Sequence, residues 1–202
     1  MNEAEVSLHL TEIKENELYT LLYDHKEALD TSKEPLGEII SHEIEIILNI
    51  KRPYPTLLRR PAYPASPKSR EALQLHIKEL LDIGVIRRLG HNEEVEITTP
   101  VIGEWHNGKF RMVEDCRALN IYTVPDSYHI PKFQVYLPQI FQEIYLSTMD
   151  SLKEFHQNEV TPRGRRYLRV ISNCGAYRYL RMPFSYQKFP FKLLKNDESN
   201  LS

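Results

Sequence analysis

Nowhere in these 202 residues does an uninterrupted apolar run approach twenty, so no membrane-spanning helix is expected. No basic-then-apolar leader opens the chain, which argues against a secretory signal and sets an intracellular location, cytoplasm or nucleus, as the expectation. Cysteine is scarce: Cys116 and Cys174 stand far apart with no C-x-x-C partner, which argues against a zinc site or a disulfide framework. His42, His76, His91, His106, His129 and His156 show no metal-ligand spacing. Positive charge is short in the first 50 residues, which hold 12 acids against 3 Lys or Arg, whereas the remainder holds 16 against 23. The first stretch is therefore net −9 and the rest net +7. Only the basic remainder is suited to approach a phosphate backbone.

What the chain does contain reads as an α+β arrangement. Leu18, Leu21, Leu22 and Leu29 fall at helical spacing within 11–29, a pattern that predicts an amphipathic helix. "HEIEIILNI" (42–50) alternates apolar and polar residues and predicts a half-buried strand. The proline-rich stretch 51–67 reads as an extended arm draped over its own domain and pinned by Leu57 and Leu58. Ser66-Pro67 is a helix start, Leu73, Ile77, Leu80 and Leu81 form its buried stripe, and Gly84 closes it. "VEITTPVI" and "FRMVEDCRALN" read as two strands around an Asn107-Gly108 turn. "QVYLPQIFQEIY" reads as a short helix despite Pro138. A second hairpin follows, in which Leu168 with Val170, and Tyr177 with Tyr179, alternate about "NCG". The expected domains are a helical lead-in over 1–41, a strand and extended arm over 42–68, and a main domain over 69–202.

One stretch carries chemistry. "YLSTMDSLKEFHQ" (145–157) predicts a strand ending in Asp150, a rigid position for a carboxylate that must hold a metal, although a strand-end Asp also simply starts turns. Residues 161–196 hold nine Lys or Arg and no acid, interleaved with Tyr167, Tyr177 and Tyr179. Phosphate attraction with aromatic platforms fits nucleic-acid contact there, and a solvated hairpin face is the competing reading.

Four windows in order carry a resemblance: "RRPAYPASPKSREALQLHIKELLDIGVIRR" (59–88), "TTPVIGEWHNGKFRMVEDCRALN" (98–120), "DSYHIPKF…YLSTMDSLKEFHQ" (126–157) and "YLRVISNCGAYRYLRMPF" (167–184). Together the chain resembles the reverse transcriptase of gypsy-type long-terminal-repeat retrotransposons. The resemblance implies a partial right-hand polymerase fold, fingers plus incomplete palm. It implies Asp150 as the first metal-binding and catalytic acid, with the Ser151 carbonyl beside it, serving two Mg²⁺ ions. It implies Phe155 under the sugar of the incoming deoxynucleotide, Lys109 and Arg111 on its triphosphate, and Phe184 and Ser185 in a loop that touches nucleotide and template. Asp115, Arg117 and Asn120 match template-side positions, and an RNA or DNA template-primer is the implied partner.

The match also departs from the family. No Tyr-x-Asp-Asp run, which would bring the other catalytic acids, occurs in the 202 residues. Glu154 and Ser185 stand where the family has glycine, and Glu114 and Cys116 alter the fingers motif. The expectation is a truncated polymerase without independent activity, with uncovered palm surfaces inviting self-association. A non-enzymatic nucleic-acid-binding remnant and a non-functional gene fragment are the alternatives.

Overall fold

The computed structural model describes residues 10–26, 36–37, 43–90, 92–125, 133–142, 145–148 and 153–186. The chain divides into two units, Met1–Gly37 and Glu38–Ser202. The first holds helix α1 (Glu12–Asp24), which starts after Thr11 and buries none of its residues. Its apolar side chains are not core: Ile13, Leu21 and Tyr23 are all exposed, so the predicted helix forms without the burial its spacing implies. Leu29 lies outside the described residues.

In the second unit the stretch Glu43–Ile50 alternates as predicted, with Ile44 and Ile46 buried and Glu43, Glu45 and Ile47 exposed. It does not form a ladder, however. It makes isolated bridges, Ile44 to Val160 and Leu48 to Thr123, because its partners change along its length. The proline arm turns once, over Thr56–Leu58, and buries Leu58 while leaving Leu57 exposed, so a single leucine pins it.

Helix α2 (Pro67–Asp82) follows the sequence closely. Ser66 Oγ accepts from Ser69 N at 3.1 Å, and proline at the first helical turn lacks only an N–H that would have no partner there. Leu73, Ile77 and Leu80 are buried, each burial stabilising by roughly 1.5–3 kcal/mol. Gly84 closes the helix at φ +72°.

That apolar face lies against a five-stranded sheet built from β1 (Ile86–Arg88), β2 (Thr99–His106), β3 (Lys109–Glu114), β4 (Arg169–Ser172) and β5 (Gly175–Tyr179), in the order β1-β5-β4-β2-β3. Both predicted hairpins form. β2 and β3 pair antiparallel from Val101 opposite Glu114 to His106 opposite Lys109, and Asn107 and Gly108 turn between them with positive φ of 49° and 75°. β4 and β5 pair antiparallel, and β2 meets β4 in parallel through Thr99 and Pro100. The sheet thus joins segments seventy residues apart in sequence. Val85, Ile86, Val170, Tyr177 and Tyr179 complete the buried core.

Helix α3 (Arg117–Tyr122) continues from β3, and α4 (Leu137–Ile140) forms a single turn containing Pro138. The predicted strand before Asp150 is not found over 145–148, where every residue is exposed and no ladder partner is present among the described residues. A β-prone run with no neighbour has no hydrogen-bond ladder to join. Among the described residues no helix is long and apolar enough to cross a membrane.

Candidate functional site

Asp115 sits where β3 passes into α3, its amide donating to the Pro100 carbonyl at 2.9 Å. Its side chain is 1% exposed, yet it is ionised because three donors converge on it. Arg117 Nε reaches Oδ1 and Nη2 reaches Oδ2, both at 2.7 Å, while Arg60 Nη1 and Tyr63 Oη each reach Oδ2 at 2.6 Å. The Arg117 guanidinium, set against burial and aided by Tyr63 and Arg60, holds the Asp115 carboxyl well below the usual carboxylate range. The bidentate fork in turn fixes Arg117, whose side chain remains 78% exposed. A buried acid thus aims an exposed cation.

Arg117 stands at the border of two concavities. One, of about 460 Å³, lies among Tyr63, Ser66, Ser69, Gly103 and Asn173; the other, of about 530 Å³, opens over Asn120, Ile121, Thr123 and Pro125. Asn120 extends the arrangement, its Nδ2 donating to the Ser185 carbonyl at 3.3 Å across 65 positions of sequence. Below them Thr123 Oγ1 and Tyr186 Oη share a buried hydrogen bond of 3.1 Å.

Phe155 belongs to the short turn Glu154–Gln157, entered through Lys153 at φ +50°. The turn is tied to the segment after β5 by Met182 N donating to the Asn158 carbonyl at 3.0 Å, and by His156 Nδ1 lying 2.9 Å from the Met182 carbonyl. These bonds bring Phe155 against Phe184, ring centroids 4.5 Å apart and tilted 55°. Burial pushes the His156 imidazole below its usual range, so it is neutral here.

The structure therefore unites Asp115, Arg117 and Asn120 with Ser185, and Phe155 with Phe184. It does not bring Lys109 and Arg111 to them. Both are exposed on β3, and Lys109 lies six residues from Asp115, roughly 20 Å along an extended strand. Asp150 and Ser151 lie outside the described residues. Among the described residues no group of three or more His, Cys, Asp or Glu could hold a metal ion.

Three departures noted in the sequence prove to be neighbours. Glu114 is 3% exposed, receives the Tyr179 hydroxyl on Oε1 and faces Ser185, while Cys116 is buried beside it. Burial pushes the Glu114 carboxyl up, outweighing the Tyr179 hydroxyl that favours its ionised form. Among the described residues, neither Glu114 Oε2 nor Ser185 Oγ has a hydrogen-bond partner of good geometry, although the Ser185 hydroxyl lies close enough to favour the ionised carboxyl. The reading of Tyr177 and Tyr179 as stacking platforms is corrected: they are 2% and 1% exposed and form core, because the alternation of β5 turns both toward the same buried face.

Sequence reasoning missed Arg60 and Tyr63, which have no local signal linking them to Asp115. It also missed the Glu114–Tyr179 pair, whose only hint is an acid directly after the apolar Met112-Val113 at the end of β3.

Comparison with known proteins decides the kind of molecule. No protein-family model matches. The chain is 28% identical over 152 residues to the retrovirus-related Pol polyprotein from transposon 297 of Drosophila melanogaster, covering 74% of this chain and 14% of that protein. It is 26% identical over 178 residues to Polyprotein P3 of Commelina yellow mottle virus, covering 84% of this chain and 9% of that one. Among solved structures, the prototype foamy virus protease-reverse transcriptase superposes with a TM-score of 0.75 at 22% identity, over 96% of this chain and 25% of that one. The chain is similar in sequence to Pol polyproteins and shares the fold of the foamy virus reverse transcriptase. The foamy viral enzyme in complex with an RNA/DNA hybrid superposes as well, with a TM-score of 0.73 at 19% identity over 96% of this chain and 25% of that one. The expected mixed α+β fold is thus the reverse-transcriptase-like fold. The reverse-transcriptase-like chain spans about a tenth to a quarter of the length of these relatives.

Proposed function

We propose that these 202 residues are the fingers and first part of the palm of a gypsy-type RNA-directed DNA polymerase. Its ancestral reaction is template-directed addition of deoxynucleotides. The observation that carries this reading is the bond from Asn120, which ends the second motif window, to the carbonyl of Ser185, the residue directly after the fourth window and 65 positions away. Arg117, aimed by Asp115, would meet a template phosphate there. The tilted Phe155–Phe184 pair would lie under the sugar of the incoming nucleotide, and Lys109 and Arg111 would reach its triphosphate.

Two-ion phosphoryl transfer needs several oxygen donors placed around paired cations. Asp150 and the Ser151 carbonyl are the proposed ligands for Mg²⁺, and the described residues add no further cluster. One carboxylate does not fit the two-ion requirement, so these residues by themselves do not polymerise; a longer product that adds a Tyr-x-Asp-Asp run would complete the set. A primer-extension assay with Mg²⁺ or Mn²⁺ tests this. No extension is expected from the 202 residues, and extension that Asp150→Asn abolishes would overturn the reading. Template affinity is testable separately: Arg117→Ala should weaken binding of an RNA/DNA hybrid roughly tenfold at moderate salt. The same hybrid affinity unchanged would remove Arg117 from the template side.

The second reading, a binding remnant that uses the basic stretch 161–196, has less support. Arg163, Arg165 and Arg178 are paired with Glu45, Glu159 and Glu93, and Arg165 also donates to the Val160 carbonyl at 2.6 Å. Charge reversal at Arg165 would therefore break the fold, and Arg166→Glu is the better probe of that reading.

A further inference from the structure

On the sheet face opposite Tyr177 and Tyr179, three arginines lie in one row. Register places Arg87 of β1 opposite Arg178 of β5, and Arg178 opposite Arg169 of β4. Neighbouring strands are about 4.8 Å apart, and like charges directly opposite each other are destabilising. The neutralising groups come from the loop between β1 and β2. Glu93 Oε1 accepts from Arg87 Nη1 at 2.6 Å, and its Oε2 lies 2.5 Å from Arg178 Nη2 without the alignment of a hydrogen bond. Glu96 pairs with Arg52 at 2.5 Å and Glu94 is exposed, and both attract Arg169 without contacting it.

One carboxylate therefore contacts two guanidinium groups, and the third, Arg169, feels Glu93, Glu96 and Glu94 only through space, without an ion-pair contact. Arg169 is 7% exposed, its side chain makes no hydrogen bond or ion pair among the described residues, and its Nε and that of Arg178 are buried without a partner. Arg166, exposed on the turn before β4, adds another positive charge near Arg178. Guanidinium forks in this number match an anion with three or four oxygens better than a carboxylate with two.

We propose that the Arg87–Arg178–Arg169 row is a phosphate-binding site, and that Glu93 is the intramolecular stand-in that a phosphate group displaces. The site is independent of the polymerase reading, since it uses none of the residues placed on the template or nucleotide. The phosphate could belong to a nucleic-acid backbone or to a free polyphosphate, and the test separates these.

The experiment uses the full 202-residue chain, with inorganic pyrophosphate followed by calorimetry and a fluorescein-labelled oligothymidylate followed by anisotropy. Glu93→Gln should tighten pyrophosphate about tenfold by removing the competing charge, and Arg169→Gln should weaken it by a similar factor. Oligothymidylate that responds to the same substitutions and is displaced by pyrophosphate identifies a nucleic-acid backbone. An oligothymidylate signal indifferent to them, with pyrophosphate responding, identifies a free polyphosphate. If Arg169→Gln does not fold, Glu93→Gln with Arg166→Gln decides, the latter weakening pyrophosphate severalfold. Pyrophosphate that binds neither wild type nor Glu93→Gln, or whose affinity Glu93→Gln leaves unchanged or lowers with the circular dichroism intact, shows that Glu93 is only a clamp for its loop and overturns the proposal.

Discussion

Glu114 and Asp115 are consecutive acids whose carboxyl groups are shifted in opposite directions, and the cause is the surroundings of each one. Asp115 meets three donors and stays charged; Glu114 is fully buried, and that burial outweighs the Tyr179 and Ser185 hydroxyls beside it and pushes it toward its neutral form. Their contributions to stability therefore run in opposite directions with pH. The folded Asp115 titrates below its unfolded range, near 3.9, so in that interval the unfolded state binds more protons. Its contribution is present above about pH 4 and is lost as pH falls further. The folded Glu114 titrates above its unfolded range, near 4.3, so its contribution is complete below that and declines as pH rises through the folded value. Glu114→Gln should accordingly melt higher than wild type at pH 8 and equally at pH 4, measured by thermal denaturation. Asp115→Asn strands the partly buried Arg60 and should cost about 3–5 kcal/mol in chemical denaturation at pH 7, the range for breaking a buried pair.

At the scale of elements, the hairpin β2–β3 and helix α2 depend on short-range chemistry. Gly108 holds φ +75° at the turn, and a side chain there costs roughly 1–2 kcal/mol. Gly108→Val should lower the unfolding free energy by that amount in chemical denaturation. Ser66→Ala removes the cap on Ser69 N and should cost about 1 kcal/mol in the same measurement. Both features were legible in the sequence because a turn dipeptide and a Ser-Pro cap act within four residues. The stretch Glu43–Ile50 was legible in its burial and not in its pairing, since alternation reports which side chains face inward and says nothing of which backbone lies alongside. The run Tyr145–Thr148 carries strand propensity, but its exposed residues have no ladder partner among those described.

At the scale of the whole molecule, several large apolar side chains among the described residues after 140 are exposed. Phe141 is 80% exposed, Leu146 67% and Phe184 62%. Apolar side chains of this kind drive association where they join into one patch. Sedimentation velocity at rising concentration should show self-association of the 202-residue chain, and Phe141→Ser with Leu146→Asp should return it toward monomer. A monomer at all concentrations would show that these side chains are tolerated singly.

The amino-acid sequence by itself determined the helix α2 with both its ends, the two hairpins, the mixed α+β class and the identity of the motif residues. Each of these rests on periodicity or turn chemistry that operates over a few residues. Only the tertiary structure decided that Arg60 and Tyr63 serve Asp115, that Glu114 meets Tyr179 and Ser185, that three arginines share one row, and that Tyr177 and Tyr179 are core. Those outcomes follow from strand order and register, which bring together residues tens of positions apart, and charge partners at that separation leave no periodic trace along the chain.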